Sequence, residues 1–267
     1  GSGSSDSVTL TPGDARFDVQ VRTTSFGIPH IEADDYGSLG YGIGYVQARD
    51  NLCVLAEDFL TIKGQRAEFF GRDGGYEIFA NGSFADNVSS DFFWRFINTG
   101  GDLQAQIDTV SPQARAASQG FAAGYSRFVR EIQAGEHPGR QMACRDAAWV
   151  TEITEIDMYR RYYRLGLLAC SSVFPNEIAN AAPPQQGETP AGPAPGTFPG
   201  LDPSDIPFGT PPPIGSNMYA ISAGASQTGQ SIQFSNPHFP WRGTERLYQM
   251  HLTLPGEVNI FGSSLYG

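Results

Sequence analysis

The chain has 267 residues, of which 40% are hydrophobic and 17% charged, enough apolar side chain to bury a sizeable core. Seventeen Lys and Arg against 28 Asp and Glu leave a formal charge of −11, which argues against a protein that grips a phosphate backbone. With 32 Gly and 19 Pro, turns are frequent and long helical bundles are disfavoured, and no apolar run approaches the roughly 20 residues that span a bilayer.

The opening Gly1-Ser2-Gly3-Ser4-Ser5 reads as a cloning remnant or a trimmed mature end, from which an export signal would already be missing. Phe17, Val19 and Val21 then alternate with Asp18, Gln20 and Arg22, which predicts a half-buried strand. After the turn signal Phe26-Gly27-Ile28-Pro29, a second short strand (30–33) leads into a helix. Its apolar positions are Leu39, Ile43, Val46, Leu52, Leu55, Phe59 and Ile62, and Gly64 closes it. Gly40, Gly42 and Gly44 lack the spacing of a dinucleotide-binding turn and fall inside that helix. Asp50 and Glu57 read as a solvated or salt-bridged face, not an acid–base pair.

Ser111-Pro112 carries the signature of a helix start, and Ala117, Phe121, Tyr125, Phe128 and Ile132 line one face up to Gly135. A third helix begins at Thr154, with Asp157 as a variant capping box. Ile156, Tyr159, Tyr163 and Leu167 are its apolar positions, and it ends near Ala169. Of the three cysteines, Cys53 falls on the apolar face of the first helix. Cys144 and Cys170 flank a helix-turn stretch and are the expected disulfide, which implies an oxidising compartment. The sequons at Asn81 and Asn87 matter only in a eukaryotic secretory host.

From 183 to 215 the chain is a Pro/Gly-rich spacer with almost nothing to bury. Beyond it, residues 218–222, 231–234 and 247–254 read as strands, the last with Tyr248, Met250, Leu252 and Leu254 on one face. The chain therefore divides into a mixed, helix-containing region (1–182), the spacer (183–215) and a sheet-forming segment (216–267).

Phosphate-loop, His-Glu-x-x-His and Gly-x-Ser-x-Gly motifs do not occur. What stands out is the end of the spacer, Pro213-Ile214-Gly215-Ser216-Asn217. Taken alone, it is a linker entering a strand, with Ser216 merely polar. If the chain were cut between Gly215 and Ser216, however, Ser216 would gain an α-amine beside its own hydroxyl. An unperturbed α-amine has a pKa of about 7.7–8.0, so one residue would supply nucleophile and base together. On its own, a lone His238 specifies no chemistry.

The run GSNMYAIS, followed by SNPHFPWRGTERLYQMHLTLPGEVNIFGSSLYG, resembles the start of the catalytic β-chain of the penicillin acylase family of N-terminal nucleophile hydrolases. NPHFPWRG with YQMHLTLPG is closest to its acyl-homoserine lactone and aculeacin acylase branch. Upstream, GIPHIEADDYGSLGYGIGYVQARDNL and KGQRAEFFG are similar to the opening of the family's α-chain.

The resemblance implies an α+β fold, an αββα sandwich, of which this chain holds the α-region, spacer and first β-chain strands. It makes Ser216 the nucleophile, freed by self-cleavage at Gly215-Ser216, and His238 the residue that orients the Ser216 amine. Phe239 and Leu265 match positions lining the acyl pocket, Trp241 reads as core, and His30 as structural. The family's oxyanion donors fall beyond Gly267, so this stretch alone is expected neither to process itself nor to hydrolyse amides.

No cofactor is expected, and no metal, because carboxylates of the kind that hold calcium in the penicillin G branch are mostly missing here. The implied partners are a small N-acyl substrate and the remainder of the β-chain, with no nucleic acid, in a periplasmic or secreted setting. A penicillin V or cephalosporin acylase of the same fold, and a non-catalytic extracytoplasmic scaffold with an inert Ser216, are the alternatives.

Overall fold

The computed structural model describes residues 6–10, 16–74, 76–78, 82–84, 86–99, 103–167, 178, 179, 181, 182, 215–241 and 243–266. Three N-terminal strands form an antiparallel meander, β1 (Asp6–Leu10), β2 (Val19–Thr23) and β3 (Pro29–Ala33). The alternation seen in the sequence is real here. Val19 and Val21 on β2 and Ile31 and Ala33 on β3 are buried, with Gln20, Arg22, His30 and Glu32 on the other face. Gly27, at φ 83°, makes the turn between β2 and β3, a conformation that a side chain would strain.

Asp35 then caps α1 (Tyr36–Ile62), accepting from the Ser38 N–H at 2.8 Å. This helix bends at Asn51, whose φ/ψ of −146°/36° is not helical, and Gly64 at φ 67° ends it. Short elements follow: α2 (Arg66–Phe70), the hairpin strands β4 (Tyr76–Ile78) and β5 (Gly82–Phe84), α3 (Asn87–Thr99) and α4 (Leu103–Asp108). Of the two sequons, Asn81 lies outside the described residues. Asn87 is buried, donating to the Gly71 carbonyl at 2.8 Å and accepting from Arg66 at 3.0 Å, so it offers no glycan acceptor.

The long helix α5 (Pro112–Gln133) starts where Ser111-Pro112 signals, and Phe121, Tyr125, Phe128 and Ile132 are buried as expected. It packs against α1 so closely that glycine is obligatory at the contact. A Cβ on Gly40 would stand 2.1 Å from the Ala117 carbonyl oxygen and one on Gly44 2.1 Å from that of Phe121. From the other side, a Cβ on Gly120 or Gly124 would meet the Gly37 or Tyr41 carbonyl at 1.9 and 2.0 Å. Gly42 faces the sheet, where a Cβ would meet Ile31 at 2.6 Å. The glycine cluster is thus a packing device.

Thr154 and Asp157 cap the next helix, α6 (Glu155–Leu167), with the Thr154 N–H donating to the Asp157 carboxylate at 3.0 Å. Its buried face differs from the expected tyrosine stripe. Tyr163 is exposed, and Asp157, Met158, Tyr159, Arg161 and Arg164 point inward.

After the spacer, β6 (Gly215–Ile221) and β7 (Ile232–His238) form a separate antiparallel hairpin, and β8 (Tyr248–Leu254) and β9 (Val258–Ser264) form another. Strand β8 adds in parallel to β3, completing a five-stranded sheet in the order β1-β2-β3-β8-β9, while β6 and β7 pair with each other. The fold is α+β, and one core is shared by residues from both sides of the spacer, from Phe17 to Tyr266.

The expected Cys144–Cys170 disulfide is corrected. Cys144 is bonded to Cys53, 91 residues away, which ties α1 to the loop after α5. Cys170 lies outside the described residues. Asp50 and Glu57 are salt-bridged, to Arg49 at 2.8 Å and Arg66 at 2.9 Å.

Candidate active site

Gly215 and Ser216 open β6 directly after the spacer, whose residues 183–214 lie outside the described ones. The ladder with β7 sets Gly215 opposite His238, Ser216 opposite Pro237 and Asn217 opposite Asn236. Side chains alternate along a strand, so Ser216 shares a face with Pro237 while His238 shares the other with Asn217 and Asn236. Hydrogen bonds agree: the His238 Nε2 lies 3.2 Å from Asn236 Nδ2 and 3.4 Å from Asn217 Nδ2.

Ser216 and His238 are therefore neighbours in register whose side chains leave the ladder in opposite directions. A histidine so placed is poor at taking a proton from the Ser216 hydroxyl. Both residues are exposed, as are residues 217–221 and 232–237 of the two strands, including Met218, Tyr219 and Phe234.

Phe239 follows β7 and Leu265 follows β9, each half-buried, so the two expected pocket residues hang from different sheets. Trp241, read from sequence as core, is instead 91% exposed. It lies beyond the end of β7.

His30 stands in a pair that sequence reasoning did not anticipate. Its Nδ1 is 2.8 Å from the Nδ1 of His251, its register partner on β8, and His251 Nε2 is 2.7 Å from Asn259 Oδ1. They border a cavity of about 320 Å³ with Gln20, Arg22, Glu32 and Thr253.

Also missed was a buried ionic cluster. Asp58 of α1 pairs with Arg161 and, at 3.1 Å, with Arg164, and Arg164 reaches Glu245 at 2.5 Å and Thr244 at 2.9 Å. All four charged groups are at most 2% exposed. Burial by itself would raise the Glu245 carboxyl, but the Arg164 charge and hydrogen bonds from Arg164 and Thr244 outweigh it and hold the group below the usual glutamate range. The signal in the sequence was the run Tyr159-Arg160-Arg161-Tyr162-Tyr163-Arg164, whose arginines read as a solvent face until their carboxylate partners are known. A further group, Glu131, Glu136 and His137, brings its ligand-type atoms within 4.8 Å, but Glu131 is already engaged by Tyr45 at 2.9 Å, Arg127 at 2.6 Å and His137 at 2.8 Å.

Among the described residues no helix is long and apolar enough to cross a membrane. The family model described as penicillin amidase matches residues 18–267. Aculeacin-A acylase of Actinoplanes utahensis is 38% identical over 259 residues, 95% of this chain and 32% of that protein. The acyl-homoserine lactone acylase PvdQ of Pseudomonas fluorescens is 37% identical over 249 residues, 93% of this chain and 30% of its own length. Penicillin G acylase of Escherichia coli is 28% identical over 115 residues, 43% of this chain and 12% of that enzyme. The chain thus spans about a third of the length of the first two relatives.

Proposed function

The chain belongs to the penicillin amidase family, and from that premise we propose that it is the leading part of a self-processing amidohydrolase that removes the acyl chain from an N-acyl substrate, an acyl-homoserine lactone or a lipopeptide. The observation that carries the reading is the placement of Gly215-Ser216 at the head of β6, directly after the Pro/Gly-rich spacer. Cleavage there would leave Ser216 as the first residue of a strand already paired with β7.

In the maturation step Ser216 Oγ attacks the Gly215 carbonyl carbon, the C–N bond to Ser216 breaks, and the resulting ester is opened by water. The new α-amine is the base of the next reaction. It takes the Ser216 hydroxyl proton as Oγ attacks the substrate amide, and the leaving amine receives that proton when the tetrahedral intermediate collapses. Water then opens the acyl ester. His238, across the ladder from Gly215, orients the amine. Phe239 and Leu265 contribute to the acyl pocket, and the donors for the oxyanion come from sequence beyond Gly267. The remainder of the β-chain covers the apolar side chains that β6 and β7 expose, and the 267-residue stretch alone neither processes nor hydrolyses amides. The Cys53–Cys144 disulfide supports a periplasmic or secreted location.

The test is a substrate panel, run on the polypeptide extended to the length of its relatives: long-chain acyl-homoserine lactones and a lipopeptide against phenoxyacetyl and glutaryl amides. Preferential release of a long acyl chain supports the proposal. Preference for the phenoxyacetyl or glutaryl amides moves the protein to the penicillin V or cephalosporin acylase reading, and no turnover of any amide by folded protein moves it to a non-catalytic module.

A further inference from the structure

Strands β3 and β8 run parallel with His30 and His251 as register partners. Both imidazoles therefore leave the sheet on the face that carries Gln20, Arg22 and Glu32, away from buried Val19, Val21 and Ile31. Their Nδ1 atoms are 2.8 Å apart and their ring planes stand at 88°. Bare lone pairs repel at that distance, so the gap holds one proton or one cation. On its other side the His251 ring sets Nε2 2.7 Å from the Asn259 Oδ1 on β9. Phe261, the register partner of His251, walls the pair, its ring centre 6.1 Å from that of His251 and 6.4 Å from that of His30.

Imidazole nitrogens suit zinc, copper and nickel, whereas calcium takes oxygen ligands. A histidine that ligates a metal usually gives its other ring N–H to a carbonyl or carboxylate oxygen, and the Asn259 carbonyl oxygen stands in that place beside His251. The spacing of the two Nδ1 atoms selects among the metals. Two metal–nitrogen bonds of about 2.0 Å meeting at a right angle hold their nitrogens about 2.8 Å apart, and at a tetrahedral angle about 3.3 Å apart. The observed 2.8 Å fits neighbouring corners of a square-planar ion, the geometry of Cu²⁺ and Ni²⁺ and not of Zn²⁺. The cavity of about 320 Å³ beside the pair has room for water at the other corners. Two charges line it: Glu32 favours a cation there, and Arg22, drawn to Gln20 at 2.5 Å, opposes one.

We propose that His30 and His251 form a two-imidazole site for a divalent transition metal of square-planar preference, with Cu²⁺ bound more tightly than Ni²⁺ or Zn²⁺ and Asn259 as the positioning residue. The sequence-based expectation of no metal rested on missing carboxylates of a calcium site, which is a different donor chemistry. This goes beyond the acylase reading and does not require it, since neither histidine belongs to the proposed machinery.

The test titrates Cu²⁺, Ni²⁺ and Zn²⁺, each alone, into the metal-stripped, untagged polypeptide extended to the length of its relatives. Calorimetry gives the affinities, and electron paramagnetic resonance counts the nitrogens on Cu²⁺. The expected result is a Cu²⁺ site with two imidazole nitrogens, tighter than that for Ni²⁺ or Zn²⁺. His30→Gln and His251→Gln each remove a ligand and weaken it at least about 100-fold, and Asn259→Ala weakens it about tenfold. Arg22→Gln, which removes the opposing charge, tightens it. His137→Gln, which removes the histidine of the Glu131 group, leaves it unchanged. Should either histidine variant fail to fold, Asn259→Ala and Arg22→Gln, both at exposed positions, decide the matter by their opposite signs. Absence of a Cu²⁺ site with two nitrogens, or an affinity indifferent to these substitutions, overturns the proposal and leaves the pair as a structural hydrogen bond.

Discussion

Gly215 lies directly opposite His238 in the β6–β7 ladder, one residue ahead of the serine on which the functional reading turns. That offset puts the His238 side chain on one face of the ladder and the Ser216 side chain on the other. Asn217 and Asn236 hold the imidazole from the side.

On the proposed role of His238 in orienting the Ser216 amine, His238→Ala in the polypeptide extended to the length of its relatives is expected to lower kcat by about 10²-fold, with a smaller effect on KM. Steady-state kinetics on the mature protein checks this. Unchanged kcat would remove His238 from the machinery.

The Cys53–Cys144 bond closes a long loop between α1 and the segment after α5, so its loss is expected to cost about 2–5 kcal/mol in chemical denaturation. Cys53→Ser and Cys144→Ser should lose the same amount, and Cys170→Ser none. Non-reducing peptide mapping should recover Cys53 linked to Cys144. A linked Cys144–Cys170 peptide would contradict the assignment.

At the α1–α5 contact, Gly44→Ala drives a methyl to 2.1 Å from the Phe121 carbonyl oxygen. Helices must separate, at a cost of about 1–3 kcal/mol, beyond the roughly 1 kcal/mol that alanine returns in helix propensity. Gly166→Ala on α6 has nothing within 4 Å of the new methyl. It should leave stability unchanged or raise it by up to about 1 kcal/mol. Thermal melts of the pair separate the packing account from a generic glycine effect.

The lowered Glu245 carboxyl fixes the sign of an acid response. A group whose folded pKa lies below its unfolded value, near 4.3 on the order of a free glutamate, stabilises fully above that value. The stabilisation is lost as pH falls through the folded pKa. Denaturation midpoints should drop on acidification below about pH 5, and more shallowly in Glu245→Gln, which begins lower at neutral pH. Equal slopes would deny the Glu245–Arg164 pair its role.

Much of the secondary structure was legible because it is written locally. Alternation marked β2 and β8, the turn signal ending at Pro29 marked β3, and Ser111-Pro112 and Thr154/Asp157 marked two helix starts. Strand β9 carried no clear alternation, since both its faces keep apolar side chains at the surface, Ile260 and Phe261 among them. Features resting on distant partners were not legible. The inward turn of Arg161 depends on Asp58, 103 residues earlier, and the choice of Cys53 over Cys170 depends on how α1 packs. The junction at Gly215-Ser216 was found from the sequence text around it, whereas the opposite facing of Ser216 and His238 needed the register.

The most direct test of the central claim is the denatured intact mass of the polypeptide extended to the length of its relatives, beside its Ser216→Ala counterpart. The account predicts that the unmutated protein separates into two chains, the heavier beginning at Ser216, and that the alanine form stays single. If both remain whole after correct folding, Ser216 is not a self-releasing nucleophile and the claim fails.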